Sequence, residues 1–146
     1  MTHIERHALV MHSAKRMFEL VDNVAAYPKM FDWCESAQVL ESSASHRLAR
    51  LDVRRGAMRT SFTTRNEVVI PTRIQMRLVE GRFKELEGLW QFHALDESSC
   101  KVQLSLSFET SGSILGAAMS MGMKKIADRM VDDFCQAADR LYADPA

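Results

Sequence analysis

The chain has 146 residues, of which 47% are hydrophobic and 26% charged, and 19 basic side chains balance 19 acidic ones. This composition is typical of a globular protein with its own core, so we predict a single domain over residues 1–146. No apolar run reaches the roughly 20 residues of a membrane span, the N-terminus lacks a signal-peptide pattern, and the cysteines form no disulfide or metal motif, which indicates a cytoplasmic protein.

The first quarter of the chain predicts one strand followed by two short helices. The strand is expected over residues 3–11. Ser13 can cap a helix through residues 15–21, because its hydroxyl can accept a hydrogen bond from a backbone N–H of the first turn. Pro28 favours the start of a second short helix that runs to about residue 35, since proline suits the first helical position.

The middle of the chain predicts strands, because apolar residues recur at every second position from Ala37 onward. The first of these strands begins at Val39, and the others are expected over residues 46–55, 57–70, 73–79, 85–95 and 101–109. Short turns join them, and a parallel crossover needs a dozen or more residues. Neighbouring strands are therefore predicted to be antiparallel.

The last stretch, residues 113–142, predicts one long helix with an apolar stripe. Its apolar residues recur in steps of three and four, namely Met119, Met123, Ile126, Ala127, Met130, Phe134, Ala138 and Leu141. Ser111 or Ser113 can cap its start, and Pro145 lies just past its end. On the charged side, Arg129 and Asp133 are spaced to form an ion pair. Only the strands offer enough apolar surface to cover the stripe, which predicts an α+β domain.

Four strings occur in the order found in one protein superfamily. They are YPKMFDWCES (27–36), SFTTRN (61–66), MRLVEGRFKELEGLWQF (76–92) and MVDDF (130–134). The chain resembles the START-like, helix-grip superfamily, also called SRPBCC, and its polyketide-cyclase-like branch with coenzyme Q-binding proteins and RatA-type ribosome-association toxins. The resemblance implies a curved antiparallel sheet of about seven strands around the C-terminal helix, with two short helices after strand 1. One position departs from the pattern, because Arg82 replaces the usual proline of Gly-Pro-Phe.

Aromatic residues and methionines concentrate between the predicted sheet and helix, where the resemblance implies a pocket for a hydrophobic ligand. The candidate ligand-binding residues are Tyr27, Phe31, Trp33, Phe62, Thr64, Met76, Trp90, Phe92, Met119, Met123, Met130 and Phe134. Residues 27–35 would form a lid, and Gly112, Gly116 and Gly122 favour flexibility where a mouth would open. The resemblance implies ubiquinone or another polyprenyl lipid as the ligand and support of respiratory quinone function at the inner membrane. The alternative is that these residues form an ordinary core.

A second candidate site is a basic face of the sheet. Between Arg47 and Lys84 there are ten Lys and Arg residues and only three acids. Strand alternation points six arginines outward, namely Arg50, Arg54, Arg59, Arg65, Arg73 and Arg77. Such a face suits ribosomal RNA or anionic lipid headgroups, or it is simply a solvated surface. The resemblance implies a second possible function for it, that of a toxin which binds the large ribosomal subunit and blocks subunit association.

The sequence gives little indication of catalysis. Its five histidines lack HExxH spacing, and no GxSxG, P-loop or Rossmann glycine pattern occurs, so we expect no catalytic residue, metal or cofactor. Cyclases of the superfamily need polar side chains in the cavity. Only Thr60 and Thr64 are polar at predicted inward positions, where they can hydrogen-bond a quinone carbonyl or merely each other across strands. A polyketide cyclase or aromatase is therefore a third alternative.

Overall fold

The computed structural model describes residues 1–143, and Pro145 lies outside the described residues. Within them the chain forms seven strands, three α-helices and one 3₁₀ turn. In chain order these are β1 (Thr2–Val10), α1 (Ala14–Asp22), the 3₁₀ turn (Val24–Ala26), α2 (Tyr27–Met30), β2 (Cys34–Ser42), β3 (His46–Arg55), β4 (Met58–Val69), β5 (Arg73–Gly81), β6 (Glu85–Asp96), β7 (Ser99–Glu109) and α3 (Ile114–Leu141).

All seven strands join one antiparallel sheet in the order β1-β7-β6-β5-β4-β3-β2, so the first strand pairs with the last. The sheet curves around α3, and we call the face toward α3 the inner face and the opposite one the outer face. Strand β7 shows why the sheet has two distinct faces. Its apolar residues Val102, Leu104, Leu106 and Phe108 are buried, and the polar residues between them are half-buried. The predicted helix-grip fold and antiparallel sheet are confirmed.

Helix α3 buries the predicted stripe except at its C-terminal end. The Ser113 hydroxyl caps its start by accepting a hydrogen bond from Gly116 N at 3.0 Å. Leu141 is 58% exposed, so its predicted place in the stripe is wrong. The helix ends at this residue, and Tyr142 packs toward α1 in its place, with its ring centre 5.3 Å from the guanidinium carbon of Arg16.

The second short helix was predicted too long and the second strand too short. Helix α2 ends at Met30, and Phe31 already has an extended backbone with φ −131° and ψ 131°. Strand β2 therefore begins at Cys34, five residues before Val39. A turn over residues 31–34 follows, in which Cys34 N donates to the Phe31 carbonyl at 3.3 Å, and the rings of Phe31 and Trp33 stack with their centroids 5.1 Å apart.

Two glycines of α3 bring the helix close to its neighbours. A Cβ atom added at Gly122 would lie 2.7–2.9 Å from side-chain atoms of Met58 on β4, and one at Gly116 would collide with the Ser111 carbonyl. These glycines therefore serve close packing, whereas the sequence pattern led us to expect flexibility there. No helix within residues 1–143 is long and apolar enough to span a membrane.

Candidate functional site

A cavity of about 70 Å³ lies between the inner face of the sheet and α3. Nine of the twelve predicted ligand-binding residues line it, namely Tyr27, Trp33, Phe62, Thr64, Met76, Trp90, Met123, Met130 and Phe134. Seven further residues complete the lining, namely Val24, Ala49, Leu51, Asn66, Leu86, Gly88 and Leu106. The lining draws on the α1–α2 connection, α2, five strands and α3, so the cavity exists only once the whole domain has assembled.

Phe31, Phe92 and Met119 do not line the cavity. Phe31 stacks on the ring of Trp33 and lines a different depression, which is described below. Phe92 is packed behind the cavity wall, between Trp90 and the edge of the Phe18 ring. Met119 is buried one turn of α3 before the cavity begins at Met123. All three belong to the packed core around the cavity.

The cavity is much smaller than a typical ligand site. Pockets that enclose drug-sized ligands measure about 300–1,000 Å³. A space of about 70 Å³ has room for about two water molecules or a short apolar group. Met76, Met123 and Met130 line it and have flexible side chains. A larger guest would therefore require these side chains to rotate and the lid to move.

The cavity offers hydrogen bonds but no acid or base that titrates near neutral pH. Thr64 Oγ1 donates to Asn66 Oδ1 at 2.7 Å, and both side chains are buried. Tyr27 donates its hydroxyl hydrogen to the Val21 carbonyl, and burial, reinforced by Asp22, raises the pKa of Tyr27 well above its ordinary value. Within residues 1–143 no His, Asp, Glu, Lys or Arg side chain lines the cavity. Asn66 was missed in the sequence, although it shares the strand face of Thr64.

Thr60 does not join this polar corner. Its Oγ1 atom is buried and has no hydrogen-bond partner within residues 1–143. In the same part of the chain, no three His, Cys, Asp or Glu side chains come together as a metal site. The three cysteines are free, and burial raises the pKa of each thiol to about 11, so they are protonated and weakly nucleophilic at neutral pH.

The six predicted arginines all lie exposed on the outer face, across β3, β4 and β5, and we call this surface the arginine face. Two pairs lie directly opposite each other on neighbouring strands, Arg54 with Arg59 and Arg65 with Arg77. Like charges in this position destabilise a sheet. Glu35 relieves the first pair with contacts of 3.7 and 3.1 Å. Within residues 1–143, Arg77 has no carboxylate within 4.0 Å.

Two further charged residues belong to this surface. Arg82, the residue that replaces the usual proline, lines an open depression together with Arg50 and Arg59. Asp52 lies in the same depression, where hydrogen bonds from Ser36 and Ser61 lower the pKa of its carboxyl group. The replacement of the usual proline by Arg82 was visible in the sequence. The structure was needed to place its charge beside Arg50 and Arg59 on the arginine face.

Three comparisons relate this chain to known proteins. Residues 10–135 match the family described as polyketide cyclase / dehydrase and lipid transport. A Pseudomonas aeruginosa protein named ribosome association toxin RatA is 44% identical over 97% of this chain and 98% of its own length. The protein of that name from Vibrio cholerae is 39% identical over 99% of this chain and all of its own length. The Zhui aromatase/cyclase crystal structure from Streptomyces sp. R1128 covers 95% of this chain and 94% of its own, with a TM-score of 0.84 and 18% identity, a likeness of fold alone.

Proposed function

Since this chain belongs to the polyketide cyclase / dehydrase and lipid transport family, and within it to the group of ribosome association toxins RatA, we propose that it binds the large ribosomal subunit and blocks its association with the small subunit. The arginine face is the observation that supports this proposal most directly. It is a wide basic surface on a chain with no net charge, and it places Arg54 opposite Arg59 and Arg65 opposite Arg77.

The arginine face suits ribosomal RNA for a physical reason. A guanidinium group binds a phosphate with two parallel hydrogen bonds and remains charged at every physiological pH. The outer face presents such groups on a rigid sheet, so the backbone loses little conformational entropy when RNA binds. A protein held on the subunit-joining surface of the large subunit would exclude the small subunit sterically. The proposal needs no chemical step, and it places the protein with ribosomes in the cytoplasm.

Sedimentation of ribosomes tests the proposal. Purified protein is added to separated subunits under conditions that allow joining, and the joined fraction is measured on sucrose gradients. Wild type should lower that fraction and sediment with the large subunit. The variant Arg73→Glu/Arg77→Glu should bind roughly tenfold more weakly. The slope of log K against log salt should fall by about two, because two phosphate contacts are lost.

A matched control separates this effect from net charge. The variant Lys15→Glu/Lys124→Glu makes the same change in charge at two exposed positions away from the arginine face. It should behave like wild type. Equal loss in both variants, or wild type that leaves subunit joining unaffected, would contradict the proposal.

The cavity supports a second candidate function, the binding of a hydrophobic molecule such as ubiquinone or another polyprenyl lipid. Its apolar lining and the neutral Thr64–Asn66 pair suit an apolar guest with one carbonyl group. Burial of apolar surface would drive binding at about 25 cal/mol per Å². In this function the arginine face would contact the inner membrane, as a peripheral surface.

Mass spectrometry tests this second candidate. An organic extract of protein purified from its own host is compared with an extract of Met123→Lys, which places a charge in the cavity. A lipid present at about one molecule per chain in wild type and absent from the variant would support it. An extract without lipid, from protein that still blocks subunit joining, would contradict lipid binding and support only the ribosomal function.

A further inference from the structure

A second basic surface lies on the other side of the sheet from the arginine face. A groove of about 400 Å³ runs between the lid and α3, and we call it the α3 groove. Its charged lining residues are Asp32, Arg55, Lys125, Arg129, Asp133 and Arg140. Four of these side chains are cations and two are carboxylates, so the α3 groove carries a net positive charge.

The helix presents its cations along a single line. Lys125, Arg129 and Asp133 are four residues apart, and Gln136 and Arg140 continue the same face of α3. At 1.5 Å per residue, this row is about 22 Å long. Lys125 and Arg129 are exposed and have no carboxylate within 4.0 Å in the part of the chain that the structure describes.

The carboxylate in the middle of the row neutralises only part of its positive charge. Asp133 was predicted to pair with Arg129, but it accepts a hydrogen bond from Trp33 Nε1 at 3.2 Å, and no ion pair between Asp133 and Arg129 forms within 4.0 Å. Burial raises the pKa of Asp133, and the Trp33 hydrogen bond opposes that rise. Asp133 therefore fixes the lid against α3, while the cations around it point to solvent.

The α3 groove and the arginine face meet at the end of β3. Arg54 and Arg55 are consecutive strand residues, so their side chains point to opposite faces of the sheet. Arg54 belongs to the arginine face, and Arg55 lines the α3 groove. The guanidinium of Arg54 also donates to the Asp32 carbonyl at 3.4 Å, at the rim of the groove. The positive surface is therefore continuous around the β3–β4 hairpin.

We propose that the α3 groove is a second RNA-binding surface, which holds phosphate groups of the RNA that the arginine face contacts. This inference rests on the proposed ribosomal function. A flat membrane can touch one face of a sheet at a time, whereas a folded RNA can surround the edge of the hairpin and reach both. Phe31 and Trp33 are buried and expose no ring for a base to stack on, so the groove suits the phosphate backbone rather than a free nucleotide.

Neutralising two cations of the groove tests the inference. The probes are a labelled RNA hairpin of about 12 base pairs and purified large ribosomal subunits. The variant Lys125→Gln/Arg129→Gln should bind the RNA hairpin roughly tenfold more weakly than wild type, and the slope of log K against log salt should fall by about two. The control Lys15→Gln/Lys124→Gln removes the same charge and should match wild type. Lys124 is the neighbour of Lys125 in the sequence.

The outcomes separate this inference from the proposed function. If wild type binds the RNA hairpin more tightly than the groove variant does, but does not bind large subunits, the inference is supported and the ribosomal function is overturned. No binding of wild type to the RNA hairpin, or equal binding by the groove variant and the control, would overturn the inference. A third arm uses vesicles with about 30% phosphatidylglycerol. Loss of binding by the groove variant on vesicles but not on RNA would assign the groove to lipid headgroups and overturn the RNA proposal.

Discussion

Asp133 lies within α3, accepts a hydrogen bond from the indole N–H of Trp33 and lines the α3 groove. Burial raises the pKa of its carboxyl group above the usual value near 4. Between the two pKa values the folded state binds more protons than the unfolded state. The contribution of Asp133 to stability is therefore greatest at low pH and is lost as the pH rises through this window.

Asp133→Asn tests this pH dependence. The amide oxygen can still accept the Trp33 hydrogen bond, but the side chain no longer ionises. We expect the free energy of unfolding of the variant to improve relative to wild type as the pH rises from about 4 toward neutrality. Urea unfolding at several pH values measures this difference. Glu97→Gln, at an exposed turn residue, removes the same charge and should not reproduce it.

Gly122 tests the close contact between α3 and β4. Alanine at this position gains about 1 kcal/mol of helix propensity but crowds Met58, and overpacking typically costs about 1–3 kcal/mol. We expect Gly122→Ala to lower the free energy of unfolding by roughly 1 kcal/mol, and by less in a Met58→Ala background. Gly112→Ala is the control, because an added Cβ there meets no atom within 4 Å. Stabilisation by Gly122→Ala would show that the contact is loose.

The strands were easier to predict than the connection that precedes them. β7 alternates apolar and polar residues because one of its faces is buried, and this pattern is local. The turn from Phe31 to Cys34 follows no such local rule, since the path of its backbone depends on the packing of Phe31 against Trp33 and Phe134. The α3 groove depends on that path. Arg55 could therefore not be assigned to a binding surface from the sequence.

The β3–β4 hairpin has a two-residue turn and carries some arginines of each basic surface. Gly56 has a φ of +60°, while Arg55 pairs with Met58 across the turn. Glycine is suited to this turn position because other residues pay about 1–2 kcal/mol for a positive φ. We expect Gly56→Ala to lower the free energy of unfolding by about that amount in urea unfolding. A cost equal to that of Gly112→Ala would mean that the turn adapts without strain.

Across the whole molecule, the cavity and the arginine face are separate sites, whereas Trp33 lines both the cavity and the α3 groove. Ala49 lines the cavity from β3 and is buried, whereas its neighbour Arg50 belongs to the arginine face. Ala49→Val should fill part of the cavity and raise the free energy of unfolding by roughly 1 kcal/mol, since each buried CH₂ contributes about 0.8 kcal/mol. It should leave ribosome association unchanged and reduce any lipid retained. Loss of ribosome association in this variant, measured on sucrose gradients, would show that the two sites are coupled.

The pairing of β1 with β7 also determines when this protein can acquire its structure during synthesis. Residues Thr2–Val10 leave the ribosome before their partner strand, which ends at Glu109, and α3 follows that strand. The nascent chain therefore holds an unpaired strand and an uncovered inner face until β7 and α3 have emerged. The domain can thus fold only after α3 has been synthesised.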